Sequence, residues 1–154
     1  MKELDAIDRR ILRLLSEDGR MAWRDLAEQV GLSLTPTIRR VRLLEERGYI
    51  EGYTAQLSEE RLAGSMTVFV SVTLERQSGH TLSIFEQEIA RIPNVMSGYV
   101  MTGGADYLLR VVVRDLAEYQ RFLTDGLTRI PGVAHIQSSF ALKPILQRSA
   151  SPLV

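Results

Sequence analysis

LAEQVGLSLTPTIRRVRLLEERGYIEGY, residues 26–53, reads as two short helices hinged at Gly31, the second carrying Arg39, Arg40 and Arg42. Leu26, Ala27 and Val30 recur at helical spacing, and Gly31 follows where a helix end favours a residue that accepts positive φ. Thr35 precedes Pro36. A hydroxyl N-cap followed by proline at the first helical position is a start signal, because proline has no N–H to leave unpaired there. The spacing predicts a second helix whose inner face is Ile38, Val41 and Leu44, with Arg39 and Arg40 pointing away from it, and Gly48 closes it. A helix pair with arginines clustered on its second member is the build of a DNA-reading element. The candidate contact residues are Ser33, Thr35, Pro36, Thr37, Arg39, Arg40 and Arg42.

Upstream, DAIDRRILRLLSEDGR (residues 5–20) predicts a further helix, capped by Asp5 and striped by Ile7, Ile11, Leu14 and Leu15. Three helices in about 45 residues have little core of their own, so Trp23 is read as a packing residue rather than a base-stacking one.

Charge does not by itself announce a nucleic-acid partner: 19 basic residues balance 19 acidic ones, and residues 1–57 carry ten of each. Its distribution is more informative, since Gln29 to Leu44 holds three arginines and no acid. The composition, 45% hydrophobic and 25% charged over 154 residues, is that of an ordinary globular chain of one domain or two small ones. No apolar run is long enough to span a bilayer, MKELDAIDRR lacks the apolar core of a signal peptide, and there is no cysteine. The expectation is a cytoplasmic protein without a membrane partner. His80 and His135 are too few and too separated for a metal site, and no Ser/His/Asp set or carboxylate pair stands out. Neither an enzyme nor a cofactor is expected.

Beyond Tyr53 the pattern changes. TAQL continues an extended segment and SEERLAG reads as a short helical turn, giving residues 1–52 as a helical domain, 53–65 as a linker and 66–154 as a second domain. In MTVFVSVTLE, Val68, Val70, Val72 and Leu74 alternate with Thr67, Ser71 and Thr73, the mark of a half-buried strand. HTLSIFEQEIARI places Leu82, Phe85, Ile89 and Ile92 on one helical face ahead of Pro93. ARIPNV (90–95) recurs as TRIPGV (128–133), each ending a helix and opening a strand. With strands VMSGYVM, YLLRVVV and VAHIQSSFAL and a helix from Asp115 through Ile130, the order is β-α-β-β-α-β. That order predicts an α+β chain whose second domain is a ferredoxin-like plait, both helices on one face of an antiparallel sheet. Phe69 and Tyr99 fall on the other face, and a second subunit's sheet is its expected cover.

TGGADY (102–107) joins the second and third strands. Two readings fit it: a hairpin turn needing Gly103 and Gly104 for positive φ, or a small polar site in which freed backbone amides and Asp106 hold a zwitterion.

Taken together, LDAIDRRILRLLSEDGR, LAEQVGLSLTPTIRRVRLLEERGYIEGYTAQL, TGGADYLLRV and the closing SSFALKPILQRSASPL resemble, in order and spacing, the Lrp/AsnC family of feast/famine transcription regulators. The resemblance implies a DNA-binding helix-turn-helix domain and a C-terminal plait, called RAM, that dimerises through its sheet and builds octamers or other rings of dimers. It also implies a small amino-acid effector bound near Met101, Gly103, Gly104, Asp106 and Tyr107, with Ser138 and Ser139 adding polar contacts. The implied function is sequence-specific binding of double-stranded DNA by a homo-oligomer whose assembly responds to that effector; the alternative is an effector-independent architectural DNA-binding protein. Leu43, where many members carry a basic residue, and Ala105, where others carry a larger or polar one, are departures.

Overall fold

The computed structural model describes residues 4–64 and 66–146, and these fold as two compact units, one ending at Gln56 and the other running from Leu57 to Ile145. The first contains α1 (Ala6–Glu17), α2 (Trp23–Val30) and α3 (Leu34–Glu46). Asp5 caps α1 through a capping box with Asp8, each carboxylate accepting the other residue's backbone N–H. Gly31 ends α2 in the left-handed region at φ 72°, and Gly48 at φ 73° follows α3 in the same way, with the Tyr49 N–H returning to the Leu44 carbonyl. Ile11, Leu12, Leu15, Leu26, Val30, Val41 and Leu44 form the core. Trp23 stays outside it, 41% exposed at the start of α2, so the packing role expected for it is not what the fold gives.

The start of α3 also differs from expectation. Ser33, not Thr35, is the N-cap residue, and it makes no side-chain cap bond. Both the amide and the hydroxyl of Thr37 donate to the Ser33 carbonyl, at 3.3 and 3.0 Å. Pro36 is then the third helical residue, still among the N-terminal positions whose N–H has no helical acceptor, so proline costs no bond there either.

The second unit is the expected plait. A short α4 (Glu59–Leu62) precedes β1 (Met66–Leu74), α5 (Gly79–Ile89), β2 (Val95–Val100), β3 (Tyr107–Val113), α6 (Leu116–Arg121) and β4 (Val133–Phe140). The sheet is antiparallel throughout in the order β2-β3-β1-β4. Val68, Val70, Val72 and Leu74 pack with Phe85 and Ile89 of α5 and Tyr119 of α6, so both helices lie on one face. Phe69 and Tyr99 are exposed on the other. There Arg110, opposite Phe69, makes a two-bonded pair with Glu59 of α4 at 2.9 and 2.6 Å, and the guanidinium holds the Glu59 carboxyl below its usual range. The helix expected through Ile130 is regular only to Arg121; a widened turn over Phe122–Gly126 and a tight one over Leu127–Arg129 complete it. Thr124 and Thr128 bond back to carbonyls in this stretch, which distorts the ladder. The ARIPNV and TRIPGV repeats build the same feature twice: the Val95 N–H donates to Ile92 and the Val133 N–H to Ile130.

Candidate functional site

Successive residues of an α-helix are rotated by about 100°, so Thr35, Arg39 and Arg42 fall within one narrow stripe of α3 while Thr37, Val41 and Leu44 fall opposite. The burial follows this division: Thr37, Val41 and Leu44 are buried, whereas Thr35, Arg39 and Arg42 are exposed. Arg39 and Arg42 make no hydrogen bond or ion pair among the described residues. Ser33 is exposed and Pro36 half-buried at the helix start. Two of the expected DNA-contact residues are placed otherwise. Thr37 is fully buried and its hydroxyl is used by the Ser33 carbonyl. Arg40 turns to α1, where its Nη1 lies 2.6 Å from Asp5 Oδ2 and 2.7 Å from Asp8 Oδ1. These bonds hold the Arg40 pKa above its ordinary value, and the Asp8 N–H and then Arg40 hold the Asp5 carboxyl below its own.

In the second unit the Met101–Tyr107 loop divides into an outer and an inner part. Met101 is exposed, Gly103 adopts φ 121°, and neither Gly103 nor Gly104 has a neighbour within reach of an added Cβ, so the loop's tip borders open space. Asp106, expected to meet a ligand's ammonium, faces inward: it is 8% exposed, and its carboxylate accepts the Leu74 N–H at 2.7 Å and a Gln77 Nε2 donor at 2.6 Å. Its carbonyl accepts the Met101 N–H, closing the loop, and its own N–H donates to Val72. Tyr107 is buried against Phe85 with ring centroids 4.5 Å apart, and its hydroxyl donates to Glu86 at 2.9 Å.

Ser138 and Ser139 do not act as a pair, because neighbours on a strand point to opposite faces. Ser138 lies opposite the buried Val70 and hydrogen-bonds the Tyr119 hydroxyl under α6; Ser139 lies opposite Phe69 on the open face. Phe69 is three residues along β1 from Val72, which faces Tyr107, a separation of about 10 Å at 3.3 Å per residue.

Sequence reasoning missed Gln77 and Glu86, the partners of the loop, since their approach is set only by tertiary packing. It also missed a cavity of about 460 Å³ between α5 and β2, lined by Phe85, Ile89, Gly98, Val100, Tyr107 and Leu109, with Glu86 beside them. A glycine inside a strand was the available signal: Gly98 pairs with Leu109, whose Cδ2 would lie 3.1 Å from an added Cβ, so the close approach of that side chain favours a glycine at this point of the cavity wall.

The Tyr107 phenol is pushed up to about 12, by burial first and by Glu86 second, from an ordinary 10.0. A raised acid pKa stabilises the fold fully below the unfolded value and loses that contribution as pH climbs toward the folded one. Wild type is therefore expected to lose stability between pH 10.0 and 12 more steeply than Tyr107→Phe, which itself costs about 1 kcal/mol near neutrality for the lost hydrogen bond. Thermal melts across that range check this, and parallel curves for the two proteins contradict it.

Two family models match the chain. Residues 4–51 match the winged helix-turn-helix DNA-binding model and residues 67–151 the Lrp/AsnC ligand binding domain. The chain belongs to the Lrp/AsnC family. The Bkd operon transcriptional regulator of Pseudomonas aeruginosa is 65% identical over 153 residues, covering 99% of this chain and 100% of that protein. The leucine-responsive regulatory protein of Escherichia coli is 38% identical over 146 residues, covering 95% and 89%. A Neisseria meningitidis transcriptional regulator crystallised with L-methionine superposes with a TM-score of 0.93 at 35% identity, covering 98% of this chain and 97% of that one. The Lrp/AsnC regulator described here thus joins a DNA-binding domain to a ligand-binding domain, and its named relatives are transcriptional regulators, not enzymes. Among the described residues, no helix is long and apolar enough to cross a membrane and no His, Asp and Glu side chains cluster to hold a metal ion.

Proposed function

We propose that this Lrp/AsnC regulator reads double-stranded DNA with two copies of α3, one from each subunit of a dimer, and that a small apolar amino acid tunes its assembly. The Thr35–Arg39–Arg42 stripe carries the first half: two guanidinium groups without a partner among the described residues stand on the exposed side of a helix whose opposite side is packed. Arginine in that setting donates to phosphates and, in pairs of bonds, to guanine edges in the major groove. The exposed aromatic face of the sheet supports dimerisation through a second sheet, and dimers in turn assemble as an octamer or another ring.

The effector site is the outer part of the loop, Met101 to Gly104, with backbone amides taking the ligand's carboxylate. Asp106 and Tyr107 shape that loop from within. Ser139 stands too far along the sheet to join the same loop in one subunit, so its contribution comes from a neighbouring subunit. An apolar effector is favoured because one relative is named leucine-responsive and another was crystallised with L-methionine. The name of the Pseudomonas aeruginosa relative makes the DNA upstream of a bkd operon the first operator to test.

The decisive experiment is a thermal-shift panel of the twenty amino acids on wild type and Gly104→Phe, which adds bulk at a position where a Cβ meets nothing within 4 Å. Leucine or methionine should raise wild-type Tm by several degrees and leave the variant unchanged, as expected of a ligand that binds only the folded state. Equal shifts in both proteins remove this loop from the site. Sedimentation of the same samples reads the assembly, which must differ with and without the ligand if it binds the assemblies unequally.

A further inference from the structure

We infer that Arg40 is a positioning residue that fixes the rotation of the recognition helix by clamping α3 to the start of α1, and that it makes no contact with DNA. The inference deepens the DNA-binding reading above and rests on it. Within α1 the carboxylates divide their work: Asp5 Oδ1 accepts the Asp8 N–H and Asp8 Oδ2 the Asp5 N–H, while Asp5 Oδ2 and Asp8 Oδ1 both accept from Arg40 Nη1. The helix cap and the clamp are therefore one network, and it joins residues 32 and 35 positions apart.

Burial separates its Arg40–Asp8 half from ordinary surface ion pairs, whereas the Asp5 side chain is 51% exposed. The Asp8 side chain is 14% exposed and Arg40 30%, against 43% and 71% for the Glu88–Arg91 pair. Exposed pairs of the latter kind constrain little, because salt and side-chain entropy offset their attraction. Charge points the same way. The Arg40 guanidinium is already shared between two carboxylates, so it offers a phosphate less than a free arginine does. Side chains reach about 5–6 Å from a helix axis, so a rotation of roughly 20° moves their tips about 2 Å, enough to break a hydrogen bond to a base. Loosening the clamp thus misaligns Thr35, Arg39 and Arg42 without touching them.

The two roles open to Arg40 make opposite predictions for Asp8→Asn. Were Arg40 a phosphate contact, removing the neighbouring negative charge would strengthen binding to any DNA. As a clamp, Asp8→Asn weakens binding to the selected sequence. The experiment uses full-length protein and two labelled duplexes, one enriched by repeated selection on wild type and one of scrambled sequence, over a range of KCl, with folding monitored by circular dichroism. Arg40→Met and Asp8→Asn are each expected to lower the ratio of selected to scrambled affinity about tenfold. Scrambled-DNA affinity and the slope of log affinity on log salt should stay as in wild type, and the double variant should be no worse than Arg40→Met alone. Arg39→Ala, run beside them, should instead lower the salt slope by about one per subunit.

The clamp is overturned if Asp8→Asn tightens binding, if Arg40→Met lowers the salt slope as Arg39→Ala does, or if both variants melt earlier yet keep the wild-type affinity ratio. Should Arg40→Met not fold, Asp8→Asn, which keeps the side-chain shape, decides alone. If Arg39→Ala binds both duplexes like wild type, the DNA-facing reading of α3 itself fails, and the clamp's role in recognition with it.

Discussion

Replacing Arg39 and Arg42 together by alanine is expected to reduce affinity for operator DNA by at least thirtyfold while leaving the protein as stable as wild type. Each arginine contact to a base edge contributes roughly 1–3 kcal/mol of discrimination, and about 1.4 kcal/mol is a factor of ten, so two of them place the loss at about 30-fold to 10⁴-fold for each subunit's half-site. The thermal midpoint should hardly move, because both side chains are exposed and unpartnered among the described residues, and such substitutions usually stay within about 0.5 kcal/mol. Fluorescence anisotropy over a salt series measures both the loss and the slope, which should fall by about two per subunit if both groups meet phosphates as well. A double variant that binds with wild-type affinity would falsify the placing of the stripe against DNA.

The largest stability effect is expected at Gly64. It holds φ +123°, and a Cβ there would lie 2.5 Å from the Val113 carbonyl oxygen and the Arg114 Cα and 2.6 Å from the Arg114 nitrogen. All three are backbone atoms at the end of β3, where Val113 pairs with Met66 of β1, so neither side of the contact has a flexible end that can yield. Gly64→Ala combines left-handed strain with steric overlap, and a loss of about 3 kcal/mol or more follows for the second unit. Gly79→Ala is the control: its added Cβ meets nothing within 4 Å, and in the first turn of α5 it should be neutral or stabilising by about 0.5 kcal/mol. Chemical denaturation of the three proteins reads the difference. Equal midpoints for Gly64→Ala and wild type would show that the strand end moves away freely.

Much of this architecture is legible from local pattern. The alternation of Val68, Val70 and Val72 places β1 and its buried face, the glycines after α2 and α3 end those helices, and the twin ARIPNV and TRIPGV stretches mark two equivalent turns. What escapes the pattern is whatever depends on a distant partner. Arg39 and Arg40 are adjacent and chemically identical; helical rotation turns Arg39 to the exposed stripe, and the acids of α1 hold Arg40. Asp106 looks like a ligand's counter-ion until Leu74 and Gln77 are seen to use both its oxygens. Ser138 and Ser139 look like a pair until strand geometry turns one beneath α6 and the other to the open face. Even the start of α3 rests on such detail: Thr35 and Pro36 make a plausible cap in one dimension, but Thr37 binds the carbonyl of Ser33 and moves the helix two residues upstream.

The separation on α3 between Thr35, Arg39 and Arg42 on one side and Thr37, Val41 and Leu44 on the other has an evolutionary corollary. No residue belongs to both sets, so, on the proposed reading of the stripe, operator preference can drift by exchange at three positions without repacking the domain. A duplicated copy of such a gene can acquire a new set of promoters while its fold stays untouched. The same property makes α3 a cassette: a triplet taken from a relative and grafted at positions 35, 39 and 42 should carry its preference along, provided the anchor to α1 holds the helix at the same rotation.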